Sequence, residues 1–88
     1  MSYFVYFLGS TKKNKVKTYV GYTNNIKKRI SLHNYGRGAK STKGRKWILL
    51  YSKKYSSKKK AMKFEFYLKK NFKLRSFYRN KYIKSLTK

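Results

Sequence analysis

Apolar residues along this chain fall into short runs and helical stripes separated by basic, turn-rich stretches. Residues 3–8 (YFVYFL) are aromatic or aliphatic without interruption, the pattern of a buried strand. Residues 9–17 (GSTKKNKVK) are polar. Residues 18–22 (TYVGY) read as a second strand that pairs with the first as a hairpin closed by a long loop. Thr23 and Asn24 are good N-cap residues for a helix over 25–34, in which Ile26, Ile30 and His33 recur at helical spacing. Residues 35–46 (YGRGAKSTKGRK) hold three glycines and predict a loop, and 47–51 (WILLY) predict a third strand, buried by its composition. Ser56 or Ser57 caps a further helix running to about Phe72, with Ala61, Phe64, Leu68 and Phe72 on one stripe. A last helix over 76–86 carries Tyr78, Tyr82, Ile83 and Leu86. The predicted order is β-β-α-β-α-α, an α+β fold in one domain, 1–88.

Charge changes the picture of what such a domain meets. Among 88 residues there are 26 Lys and Arg against one acid, a formal net charge of +25. Disorder is the usual fate of a chain so charged, but here 40% of residues are hydrophobic and 19% aromatic, enough for a small core under a basic exterior. The charge points to a polyanionic, phosphate-rich partner. Cysteine is absent and there is one histidine, which excludes disulfides, thiolate catalysis and Cys- or His-rich metal cages. Apolar runs are too short for a membrane span or signal-peptide core, so no membrane partner is expected and the cytoplasm is the default location.

Few residues remain that can carry chemistry. Glu65, the single acid, shares its helix face with Ala61 and Leu68 and points inward. Three readings stand for it: a surface salt bridge, a buried pair with Arg or Lys, or a ligand for a divalent metal whose other positions are filled by water and phosphate oxygens. Arg29 and His33 lie one turn apart beside Ile26 and Ile30. The histidine reads as a satisfied core residue or a functional one. The arginine lacks a spare carboxylate, and a bound phosphate would satisfy it. Tyr6 and Tyr19 sit on the two hairpin strands, where tyrosines commonly serve as packing residues. In the glycine-containing loop, Arg37, Lys40, Lys43 and Arg45 form either a phosphate-tracking surface or a solvated basic loop.

The motifs around these residues resemble the GIY-YIG nuclease superfamily, in particular the small stand-alone branch similar to the nuclease domain of structure-specific junction endonucleases. The resemblance rests on FVY at 4–6 and YVG at 19–21, on Arg29 ten residues after Tyr19 with His33 four further, and on AMKFEFYL around Glu65. The loop GAKST with KGR belongs to it as well. Each motif is weak alone; their order and spacing make the match specific. Phe4 stands where the first glycine of the motif would be, and Tyr22 and Thr23 occupy the neighbourhood in which some members carry a lysine.

The resemblance implies a three-stranded antiparallel sheet flanked by helices and metal-dependent endonucleolytic hydrolysis of DNA, directed by structure or backbone. It implies Tyr19 as general base or water-orienting phenol, Tyr6 as its companion, Arg29 as phosphate clamp, His33 as supporting donor or proton shuttle, and Glu65 as ligand to Mg²⁺ or Mn²⁺. The partner is DNA, a targeting protein subunit is possible, and no small-molecule organic cofactor is implied. The alternative is a noncatalytic basic nucleic-acid-binding protein on the same fold. A phenol, with an ordinary pKa of about 10, is a poor base at neutral pH, but neighbouring cations favour the phenolate.

Overall fold

The computed structural model describes residues 2–86. Three strands, β1 (Tyr3–Lys12), β2 (Lys15–Thr23) and β3 (Ile48–Tyr55), form one antiparallel sheet in the order β2-β1-β3. Helices α1 (Ile26–Asn34), α2 (Lys58–Lys70) and α3 (Phe72–Leu86) complete the β-β-α-β-α-α order, with a short 3₁₀ turn, Lys40–Thr42, between α1 and β3. The expected α+β architecture is borne out.

The boundaries differ from those predicted, each for a physical reason. The hairpin has no long loop. Its polar residues stay paired down to Lys12 opposite Lys15, and Lys13 and Asn14 alone make the turn, both at positive φ (51° and 64°). Two left-handed residues give a turn whose twist matches that of the strands. Neither Thr23 nor Asn24 caps α1; Asn25 does, its side chain accepting from Lys28 N at 3.1 Å. Ser57 caps α2 through Lys60 N. Asn71 separates the last two helices, ending α2 and accepting from Leu74 N at 3.0 Å to open α3. Phe72 therefore begins α3, 70% exposed, rather than extending the α2 stripe, and α3 starts four residues earlier than predicted.

The third strand is the other correction. Trp47 is buried but precedes β3, which runs on through Ser52–Tyr55 by pairing with β1. Because β3 is an edge, Ile48 and Leu49 are substantially exposed and not buried as their composition suggested. A register shift between Phe7 and Leu8 leaves Leu50 as the extra residue, so that Leu50 and the adjacent Tyr51 both reach the core.

Strand alternation on β1 sends its residues to two cores. Val5 and Phe7, with Val20, pack against Ala61 and Leu68 of α2. Tyr6 and Leu8 pack on the opposite face with Trp47, Tyr19 and Ile30 of α1. The β2 edge is where side chains from the two faces can meet.

Candidate active site

Pairing of Tyr6 with Gly21 and Leu8 with Tyr19 puts both tyrosines on the α1 face of the sheet. Their ring centroids are 6.2 Å apart, and the Tyr19 ring lies 4.9 Å from that of His33. Gly21 is required here: a Cβ at this position would run into the Tyr6 hydroxyl. Gly38 does the same for the imidazole, since a Cβ there would collide with the His33 ring. The glycine of the YVG motif thus has a steric cause.

His33 is buried and held at both nitrogens, Nε2 lying 2.9 Å from the Tyr6 hydroxyl and Nδ1 2.9 Å from Thr42 Oγ1. Counting hydrogens assigns the direction of this chain. We assign Thr42 Oγ1 as accepting from Ala39 N at 3.2 Å and donating to Ala39 O at 2.9 Å, which makes it the acceptor toward His33 and puts the imidazole proton on Nδ1. Nε2 is then the acceptor, and the Tyr6 hydroxyl donates to it. The Tyr6 oxygen keeps its lone pairs for a group outside.

Electrostatics agree with that assignment. Burial, with an added contribution from Arg29, holds the His33 pKa below its ordinary value, so the imidazole is neutral at pH 7. Burial, followed by the neighbouring Tyr19, pushes the Tyr6 hydroxyl far above the ordinary tyrosine range; Arg29 opposes this and Glu65 adds to it. Tyr6 is a neutral donor and not an anionic base.

Arg29 lies partly buried on α1 in a groove at the β2 edge with Tyr3, Tyr22, Thr23, Asn24 and Lys58. Its guanidinium makes no ion pair among the described residues. Lys58 of α2 faces it across this groove, so two cations from opposite faces of the sheet border one opening. Glu65, with 19% of its side chain exposed, lies 3.7 Å from Lys69 Nζ, an i,i+4 contact with a half-exposed ammonium. Among the described residues no group of three or more His, Cys, Asp or Glu could hold a metal. A single accessible carboxylate does suit a hard cation such as Mg²⁺, which commonly takes one or two carboxylates and completes its shell with water and phosphate. Among the described residues Glu65 is the one carboxylate side chain available for that role.

The four predicted loop residues part company. Arg37, Lys40 and Lys43 are exposed. Arg45 is committed to the hairpin: Nε donates to Ser10 Oγ at 3.3 Å, and Nη2 donates to Ser10 O at 3.2 Å and Lys15 O at 2.9 Å. The loop is built rather than loose. Asn34 Oδ1 accepts from Trp47 N, Trp47 Nε1 donates to Thr42 O at 2.8 Å, and Lys12 Nζ donates to Gly44 O. Thr42 is the functional candidate that sequence reasoning did not single out; its only signal was a β-branched hydroxyl residue among glycines and lysines. Of the two asparagines near the end of the chain, Asn71 is a helix cap and Asn80 is exposed on α3.

Comparison with known proteins places this arrangement in context. A family model described as the GIY-YIG catalytic domain matches residues 2–82. A UPF0213 protein of Bacillus licheniformis is 51% identical over 53 residues, which are 59% of this chain and 55% of that one. The UPF0213 protein YazA of Bacillus subtilis is 47% identical over 53 residues, 59% and 54% of the two chains. The chain spans little more than half the length of these curated relatives. The solution NMR structure of a UPF0213 protein from Bacillus halodurans is 32% identical, covers 98% of this chain and 85% of its own, and superposes with a TM-score of 0.47.

Proposed function

Because the chain belongs to the GIY-YIG catalytic domain family, we propose that it is a metal-dependent endonuclease that hydrolyses DNA phosphodiester bonds, directed by the structure or backbone of the DNA. The observation that carries this reading is the directed chain from Tyr6 through His33 to Thr42, lying beside Tyr19 and within the electrostatic reach of Arg29 and Glu65.

Hydrolysis needs a positioned water, cations on the non-bridging oxygens and stabilisation of the leaving oxygen. Tyr6 is neutral and donates inward to His33, so its oxygen can accept a hydrogen bond from the water but cannot serve as an anionic base. The water's proton passes to Tyr19 in its phenolate form, which becomes the neutral phenol; the Tyr19 oxygen is engaged by no hydrogen bond among the described residues. Arg29 offers a guanidinium fork to the non-bridging oxygens. Glu65 would hold the divalent ion, whose chemistry when bound is to neutralise charge developing on the leaving 3′ oxygen. Products on this reading carry 5′-phosphate and 3′-hydroxyl ends. The net charge of +25 supplies affinity for the backbone at large and leaves the choice of scissile bond to the site.

The test is cleavage of labelled flap, fork, four-way-junction and linear DNA with and without Mg²⁺ or Mn²⁺. Metal-dependent cleavage that Glu65→Gln abolishes, with DNA affinity within about twofold of the parent, is the expected result. Tight binding of all four substrates with no cleavage of any would overturn it in favour of a noncatalytic binding protein.

A further inference from the structure

The charge and the catalytic constellation leave one surface of α2 unexplained. Met62 and Phe66 are 46% and 60% exposed, one turn apart, and they line an open groove with Glu65, Lys58, Lys59 and Lys63. Lys70 Nζ stands 4.4 Å from the centre of the Phe66 ring. An apolar strip on so basic a protein is costly to leave in water unless something covers it. Its position beside Glu65, the candidate metal ligand, ties it to the reaction.

We propose that this groove holds an unpaired DNA strand, one base stacked on Phe66 against Met62 and the flanking phosphates on Lys59, Lys63 and Lys70. The substrate class is then DNA with a single-stranded segment at or next to the scissile bond. This deepens the nuclease reading and rests on it for the role of Glu65. Duplex DNA keeps its base faces stacked and offers a helix only phosphates, sugars and groove edges, whereas an unpaired strand offers base faces and phosphates in alternation. The α2 surface alternates in the same sense. Lys59 and Lys63 are i,i+4 neighbours, as are Met62 and Phe66, giving parallel basic and apolar stripes. Charge complementarity selects the nucleic acid, and the exposed ring selects its unpaired form.

Binding measured in EDTA separates this proposal from the nuclease reading. Fluorescence anisotropy on a single-stranded oligonucleotide and on a duplex of the same length should show Phe66→Ala weakening the single strand roughly 5- to 100-fold, the range of a lost base–aromatic stack, with the duplex changed less than about twofold. Phe66→Trp should restore single-strand affinity and Phe66→Leu should not. Photocrosslinking of a 5-iodouracil oligonucleotide should map to Phe66. Equal loss on single strand and duplex, or no loss on either, would overturn the proposal and leave the face to a protein partner. If the parent protein cleaves with Mg²⁺ while Phe66→Ala binds single strands normally, the groove assignment fails and the nuclease reading stands. If the single-strand discrimination appears without cleavage by any metal, the reverse holds.

Discussion

The two faces of the sheet are built from the same strands and use opposite means. Toward α2, Val5, Phe7, Val20, Ala61 and Leu68 meet without a polar side chain among them, and contact there is non-directional. Toward α1, Tyr6, His33, Thr42 and Trp47 are as deeply buried, yet each donates or accepts along a defined line. Residues 5–8 alternate between these environments, so neighbouring side chains have unlike duties: one set supplies stability and the other supplies aim. A buried polar face of this kind tolerates error poorly, because each unmade hydrogen bond leaves a desolvated group behind.

The sharpest break of that comparison is a pair of variants. Phe7→Ala should cost about 3–5 kcal/mol of stability, a large share of what a domain of this size has, read by chemical denaturation. Tyr19→Phe should lower cleavage about 10²- to 10⁴-fold in single-turnover assays while its denaturation midpoint stays near that of the parent. Parent-like turnover in Tyr19→Phe would make that phenol a packing residue.

Thr42 tests whether direction matters on the polar face. Thr42→Val keeps the shape but strands the His33 Nδ1 proton and the Ala39 N–H, at a cost of about 1–3 kcal/mol. Turnover should fall with it, and Thr42→Ser should recover both. Loss of stability without loss of turnover would reduce the chain of hydrogen bonds to a structural brace.

His33 also gives the polar face a pH response on the acid side of neutrality. Its folded-state pKa is lowered, so the unfolded chain binds the proton more readily. The stability it contributes is complete above the unfolded value of about 6.5 and is lost as pH falls from there through the folded value. No other imidazole is present, so denaturation midpoints between about pH 5 and 6.5 should report this residue, with the slope removed in His33→Gln.

The smallest effect distinguishes the exposed loop cations from the pinned one. Lys40→Ala should flatten the salt dependence of DNA affinity by roughly one phosphate contact. Arg45→Ala should leave that slope nearly unchanged and lower stability instead, because its guanidinium is taken by Ser10 and Lys15. A slope that responds only to Arg45→Ala would reverse the assignment.

What the sequence disclosed follows the same division. Elements with apolar periodicity were legible: the start of β1, the middle of β2, the α2 stripe through Leu68. Polar strand residues without apolar periodicity were not, which is why Ser10–Lys12, Lys15–Lys17 and Ser52–Lys54 carry no strand signal. The i,i+4 spacing placed Arg29 and His33 on one helix face, and strand alternation together with Gly21 placed the two tyrosines. Thr42 reaches His33 only through the fold of the intervening loop, a tertiary contact with no periodic trace. Nor could Arg45 be told from its neighbours, since four cations in a loop look alike until three acceptors claim one of them.

The turn at Lys13 and Asn14 is the feature with the longest reach. It lies at the far tip of the hairpin, outside any chemistry, and works as a ruler for the strand that returns from it. One residue added or removed there would slide β2 by one step against β1, carrying Val20 to the α1 face and burying Tyr19 among the aliphatic residues under α2. A homologue that keeps both tyrosines in use should therefore differ from this chain in that stretch by even numbers of residues, or carry an odd one in a longer loop or a bulge.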